Sequence, residues 1–168
     1  MYDEIFNQND MISLQNILRK QNQTITTAES CTGGLISYMI TKIPKSSDIF
    51  NGAIVSYSNK IKNQELNVQK ITLENYGAVS CEVVSQMLDG ITKKFDADYA
   101  IAVSGIAGPG GGSKDKPVGT VVIGYTGPSR AKTIDIYSFT GNREEVQIQA
   151  AKTGLKKIYK FIQKTIDK

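Results

Sequence analysis

The sequence predicts a three-layer α/β/α domain built on a mixed, mostly parallel sheet of about five strands. Three observations carry this. Segments of strand and helix character alternate along most of the 168 residues, the pattern of parallel strands joined by crossover helices. One pair of strand segments, 118–125 and 133–139, is joined only by the turn-rich stretch around TGPSR, so it forms a hairpin and brings an antiparallel pair into the sheet. No repeat or linker marks an internal boundary, so a single domain over 1–168 is expected. A chain of this length buries roughly 70% of its unfolded surface, enough for a stable core.

Taken in order, Met11, Leu14, Ile17 and Leu18 recur at helical spacing and define a helix over 10–21 that packs on the main body. TITTA (24–28) is a first strand running into Glu29-Ser30-Cys31-Thr32-Gly33-Gly34. LISYMITKI then reads as a helix with Ser30 as its N-cap and Pro44 as its stop. GAIVSY (52–57) is a second strand, followed by a helix over NKIKNQELN with Asn59 as N-cap. Ser80 caps an amphipathic helix that gathers Val84, Met87, Leu88, Ile91 and Phe95 on one face. DYAIAV (98–103) is a buried strand, and the hairpin follows it. A last helix starts near Asn142, where Asn142 and Glu145 have the spacing of a variant capping box, and runs to about Ile166. On it Lys152, Lys156, Lys160, Lys164 and Lys168 are expected to form one solvated stripe, opposite Ile148, Ala151, Leu155, Ile158 and Ile162.

Composition excludes several kinds of chemistry. There is no histidine, so a Ser-His-Asp triad, a Cys-His pair and His-based zinc or iron sites are all ruled out. The two cysteines, Cys31 and Cys81, are too few for a four-cysteine zinc site or an iron–sulfur cluster. No metal and no cofactor are therefore expected, and the absence of a disulfide framework suits a reducing compartment. Twenty basic residues stand against 16 acidic ones, a net charge of +4 that reads as a solubility charge. Aromatics are not interleaved with the lysine run, so no nucleic-acid partner is expected. The opening MYDEIFNQND is unlike a secretory signal, and no apolar run approaches membrane-spanning length. The expectation is a cytoplasmic protein with no membrane partner.

In sheets of this kind ligands gather where strands end and helices begin, here at 29–34, 57–62, 104–112 and 140–145. At the first exit, two glycines in what should be a helix's first turn cost on the order of 1 kcal/mol each against alanine. Either backbone must approach a ligand there or the segment is a plain capped turn. Without histidine, a serine nucleophile needs another base, and a neutral lysine is the main alternative. Lys62, at the second exit, can serve Ser30 if burial or nearby cations lower its pKa to between about 7 and 9. Tyr57 beside it could relay a proton or orient the pair, although a tyrosine at a strand end is more usually packing.

The stretch Gly105-Ile106-Ala107-Gly108-Pro109-Gly110-Gly111-Gly112 fails both phosphate-loop templates: Ser113 stands where a Walker A motif needs its second glycine, and the dinucleotide fingerprint lacks its third. A flexible loop rich in backbone donors remains. Arg143 falls in the first turn of the last helix, where the dipole disfavours a cation by roughly 0.3–1 kcal/mol. It is either neutralised by Glu144 or placed to meet an anion.

Together AESCTGG (28–34), VSYSN (55–59) with Lys62, YGAVS (76–80), SGIAGPGGGSKDKPVGT (104–120) and GNRE (141–144) resemble the C-terminal domain of the competence/damage-inducible protein CinA. In its stand-alone form that family is the nicotinamide-nucleotide amidase. Larger members carry an added N-terminal domain resembling molybdopterin-binding folds, for which this chain is expected to have no counterpart. The resemblance implies hydrolysis of the carboxamide of nicotinamide mononucleotide to nicotinic acid mononucleotide and ammonia. It implies Ser30 as nucleophile, Lys62 as general base and Tyr57 grouped with them, with Ser104, Gly105 and Arg143 in the active site or on the substrate. Serine replaces the family's usual threonine at 104, and Lys60 and Cys81 stand where glutamate is frequent.

Read from the residues, the tetrahedral oxyanion needs backbone donors, from Cys31, Thr32 and Gly33 or from the turn at 104–106. Arg143 and the 105–112 loop are expected around a common anion site near Ser30, and Tyr57 is expected to touch Ser30 or Lys62. The expected partner is a small nucleotide substrate, with a homodimer left open. Two other readings stand: Cys31 as nucleophile, and a non-catalytic domain that binds a nucleotide or a protein partner in competence or DNA damage.

Overall fold

The computed structural model describes residues 1–167. Its sheet has five strands, β1 (Ile25–Glu29), β2 (Ala53–Val55), β3 (Tyr99–Gly105), β4 (Thr120–Thr126) and β5 (Lys132–Ser138), in the spatial order β2-β1-β3-β4-β5. β1 pairs in parallel with both β2 and β3, whereas β4 is antiparallel to β3 and to β5. Four strands thus run one way and β4 alone runs against them. The hairpin contributes two antiparallel pairings rather than the one expected, because β4 also inserts beside β3.

Six helices cover the two faces: α1 (Gln8–Gln21), α2 (Leu35–Thr41), α3 (Asn59–Leu66), α4 (Lys70–Tyr76), α5 (Cys81–Phe95) and α6 (Arg143–Ile166). Period-2 alternation on β3 sends Ile101 and Val103 to one side and Ala100 and Ala102 to the other. The first side carries α1, α2 and α6 through Leu14, Leu18, Ile36, Ile40, Leu155 and Ile158. The second carries α3, α4 and α5 through Leu66, Leu73, Val84, Met87, Leu88 and Ile91. This is the three-layer α/β/α arrangement, with β1 and β3 in its middle.

Several local expectations are revised. α2 begins at Leu35, not after Ser30; its N-cap is Gly34, at φ 101° and with no side-chain cap bond. Ser58, not Asn59, caps α3, accepting from the Ile61 N–H at 3.2 Å. β2 spans three residues instead of six. The seven-residue α4 has no side-chain cap and buries only Thr72 and Leu73, so it left no periodic signal.

The lysine stripe of α6 is also not one face. A four-residue step turns about 400° at 3.6 residues per turn, so the row drifts about 40° at each step. Lys160 and Lys164 are exposed, but Lys152 is buried and pairs with Asp3 at 2.5 Å; Lys168 lies outside the described residues. Val146 and Ala150 take the inward place expected of Ile148, which is half-buried.

α3 is held against α5 by an approach that only glycine permits. A Cβ on Gly90 would overlap the main-chain carbonyl of Leu66. Gly90→Ala must push the two helices apart, costing about 1–3 kcal/mol of stability, or several degrees of Tm at about 2–4 °C per kcal/mol. Thermal unfolding checks this, and an unchanged Tm would show that α3 is loosely held.

Candidate active site

The site is built where β1 ends. Glu29, the last residue of β1, is fully buried, and its carboxylate accepts from the Thr32 hydroxyl at 2.7 Å and from the Ile36 and Ser37 N–H groups at 2.9 Å each. The Ser37 hydroxyl donates to it as well. Ile36 and Ser37 are the second and third residues of α2, so a side chain on the preceding strand does what Gly34 cannot and satisfies two of the orphan donors of the helix. Sequence reasoning missed Glu29. The available signal was an acid closing an apolar strand just ahead of a helix with no capping side chain.

Between Glu29 and α2 lies the tight turn of Ser30 to Gly34. Its Gly33 N–H donates to the Ser30 carbonyl at 3.0 Å, with Gly33 at φ 61°. The two glycines are therefore explained by left-handed backbone, which side-chain-bearing residues adopt only at a cost. The Ser30 N–H donates to the Val103 carbonyl at 3.0 Å, carrying the β1–β3 ladder one residue further and fixing where the hydroxyl stands.

The Ser30 Oγ lies 2.9 Å from the Nζ of Lys62, which also donates to the Ser56 carbonyl at 2.8 Å. Lys62 is 1% exposed, and among the described residues no carboxylate pairs with it. Burial pulls its pKa from 10.5 down to about 8, against a small opposing effect of Cys31. Serine and amine thus meet as the sequence reasoning expected. The neighbouring Cys31 differs: burial pushes its thiol from 9.0 up to about 12, leaving essentially no thiolate at neutral pH. That burial disfavours Cys31 as nucleophile.

The pair opens into a cleft of about 260 Å³, walled by Tyr57, Asn59, Ser104, Gly105, Arg143 and the loop from Ile106 to Gly111. The Arg143 guanidinium spans its mouth, donating to the Gly108 carbonyl and to the Tyr57 hydroxyl at 2.6 Å each. Arg143 and the glycine loop therefore face one space with Ser30. Tyr57 does not touch Ser30 or Lys62; it is 59% exposed and holds Arg143 instead. Ser104 is buried and its hydroxyl ties the Ala78 carbonyl at 2.8 Å, shaping the wall. Gly105 is required by strand packing, since a Cβ there would press on Val121 and the Thr120 carbonyl.

Thr32 and Gly33 do not reach the cleft. They border a separate hollow on the outer side of the turn, with Glu144 and Gln147. Asn59, read earlier only as a helix cap, does line the cleft. A larger hollow of about 590 Å³ lies between α3 and α4, but no nucleophile and base meet in its walls.

With this geometry, the profile of the CinA C-terminal domain matches residues 9–162. The chain belongs to the CinA C-terminal domain family. It is 49% identical over 148 residues to a CinA-like protein of Prochlorococcus marinus strain AS9601, covering 86% of this chain and 35% of that protein. It is 48% identical over 132 residues to a CinA-like protein of Thermosipho melanesiensis, covering 78% of this chain and 33% of the relative. The chain thus spans about a third of the length of these curated relatives. Among solved structures, a CinA superfamily protein of Klebsiella pneumoniae superposes with a TM-score of 0.88 at 30% identity, covering 92% of this chain and 96% of that one. The competence/damage-inducible protein CihA of Agrobacterium tumefaciens gives 0.84 at 33% identity, with the same coverages.

The buried amine predicts an unusual stability profile for this CinA domain. Below about pH 8 Lys62 is charged in both folded and unfolded states, and its burial costs the fold about 3 kcal/mol for a pKa lowered from 10.5 to about 8. Between pH 8 and 10.5 the folded protein sheds this proton while the unfolded chain keeps it, so the cost fades as pH rises. Lys62→Met should be more stable than the parent at pH 7 by about 1–2 kcal/mol, after about 1 kcal/mol for the lost Ser56 bond. That difference should shrink towards pH 10. The Cys31 thiol acts in the opposite sense above pH 9, but equally in both proteins. Urea unfolding at the two pH values reads this; a Lys62→Met protein less stable than the parent at pH 7 would show that the ammonium is compensated.

Proposed function

We propose that this domain is a nicotinamide-nucleotide amidase, hydrolysing the carboxamide of nicotinamide mononucleotide to nicotinic acid mononucleotide and ammonia. The observation that carries the reading is the 2.9 Å contact between Ser30 Oγ and a buried Lys62 amine that has no carboxylate partner among the described residues. With a pKa near 8, roughly a tenth of Lys62 is neutral at pH 7. A neutral Nζ takes the Ser30 proton as Oγ attacks the carboxamide carbon. The developing oxyanion needs N–H donors, and the Cys31 N–H, one residue past the nucleophile, is the nearest in sequence.

Collapse breaks the C–N bond. The Lys62 ammonium gives its proton to the departing nitrogen, releasing ammonia and leaving the acyl group as an ester on Ser30. Water, deprotonated by the same amine, then attacks the ester and frees the carboxylate and the serine hydroxyl. Arg143 supplies a planar, permanently charged fork for the substrate's phosphate at the cleft mouth. A non-catalytic binding domain fits less well, because a buried lysine without a counter-charge among the described residues costs stability and holds only the Ser30 hydroxyl and one main-chain carbonyl in return.

Ammonia release from nicotinamide mononucleotide tests the reading. Ser30→Ala should abolish it and Lys62→Arg should nearly do so, while Cys31→Ala retains much of it. The rate should rise with pH through a limb near 8. Activity retained in Ser30→Ala and lost in Cys31→Ala would move the nucleophile to the thiol, and substantial activity in Lys62→Arg would overturn the serine–lysine mechanism.

Arg143→Ala should raise KM for the mononucleotide about tenfold or more and leave hydrolysis of nicotinamide riboside, which lacks the phosphate, little changed. Equal losses on the two substrates would make Arg143 structural.

A further inference from the structure

α6 presents a second polar side chain to the site. Gln147 is one turn beyond Arg143, and residues four apart share a helix face. Arg143 reaches the cleft mouth, while the Gln147 side-chain amide donates to the main-chain carbonyl of Cys31 at 2.8 Å. This contact joins residues 116 apart in the chain and is made to the residue that follows the nucleophile. Gln147 itself does not line the cleft; it borders the separate hollow beside Thr32 and Gly33.

The main chain of residue 31 is consequently held from both sides. The peptide before it is fixed by the Gly33 N–H on the Ser30 carbonyl at 3.0 Å, and the peptide after it by Gln147 on the Cys31 carbonyl. A trans peptide is planar, with its carbonyl and N–H pointing in opposite directions. Tying the Ser30 carbonyl back into the turn therefore aims the Cys31 N–H the other way, and Cys31 is a residue that lines the cleft. Among the described residues no other residue accepts from that N–H; the acceptor beside it is the Cys31 thiol itself, a weak one that an oxyanion would displace. The next residue is anchored too, its hydroxyl on the buried Glu29 carboxylate at 2.7 Å.

We infer that Gln147 is a positioning residue of the hydrolytic site: by anchoring the peptide after Cys31 it restrains rotation about residue 31, so that the peptide before it keeps the Cys31 N–H towards the oxyanion that forms when Ser30 attacks. The inference rests on the amidase reading. A donor aimed in advance stabilises the transition state more than the bound substrate, so its loss falls on kcat and not on KM.

Two variants test it. Gln147→Met keeps the side-chain length and removes the donor. It should lower kcat for ammonia release about tenfold to a hundredfold, part of the 10²–10³ that loss of an oxyanion donor costs, with KM within about threefold and Tm nearly unchanged. Gln147→Glu offers the Cys31 carbonyl a donor only when its carboxyl is protonated, so its rate relative to the parent at the same pH should climb as pH is lowered. A structural role would leave that ratio flat. Wild-type kcat in Gln147→Met, a loss carried by KM, or a flat ratio in Gln147→Glu would each overturn the proposal.

Should the parent release no ammonia from nicotinamide mononucleotide, the amidase reading fails by itself. The role of Gln147 is then read from the labelling of Ser30 by a fluorophosphonate, whose developing P–O charge uses the same donor. Labelling at least tenfold slower in Gln147→Met supports it, and equal labelling overturns it.

Discussion

The Lys62 amine, buried against Ser30 with no carboxylate among the described residues to balance it, is the constraint around which the rest of the site is arranged. A buried ammonium is costly, and proteins ordinarily answer with a counter-charge or leave the group neutral. Here only the Ser30 hydroxyl and the Ser56 carbonyl meet it. A counter-ion would stabilise the fold and hold the proton on the amine, cancelling the lowering of its pKa by burial. The site therefore carries a local instability that the surrounding structure offsets, as strained or unfavourable groups at functional sites commonly require. The offset is visible nearby: β1, buried throughout, and β3, buried up to Ser104, on one side and the close α3–α5 contact on the other.

The carboxylate that the lysine lacks is present one residue before the serine, but it is turned elsewhere. Glu29 spends its acceptor capacity on Thr32 and on the first turn of α2. The same residue thus caps a helix and keeps negative charge committed to N–H and O–H donors. This division, a satisfied acid behind the turn and, among the described residues, an amine without a carboxylate in front of it, sets the two faces of the five-residue segment that carries Ser30.

How much of this could be read in the chain depends on the range of each interaction. The periodic helices α1, α5 and α6 and the hairpin were legible because hydrophobic spacing is local. Lys62 was legible by elimination, since a chain without histidine leaves few bases for Ser30. Ser30 was misread as a helix cap because a serine followed by a turn carries the same local signature whether or not the helix begins there. α4 escaped because seven residues with two buried positions show no period. Tyr57 on Arg143 and Gln147 on Cys31 join residues 86 and 116 apart, and nothing in the neighbourhood of either residue announces its partner. Lys152 was misplaced by treating a four-residue repeat as a straight line along a 3.6-residue helix.

The reversed direction of β4 has a consequence for how such a site can diversify. The segment from Ile106 to Gly119 leaves the end of β3 and enters β4 at that same end, and the neighbouring residues Gly105 and Val121 are paired in register. Both feet of the loop stand on adjacent strands beside the cleft, so its length is not set by any crossing of the sheet. Each doubling of such a loop costs only about 0.6 kcal/mol in closure entropy. The length of the cleft's rim is therefore not dictated by the sheet, and residues added or removed within it would leave the strands beneath and the Ser30–Lys62 pair in their places.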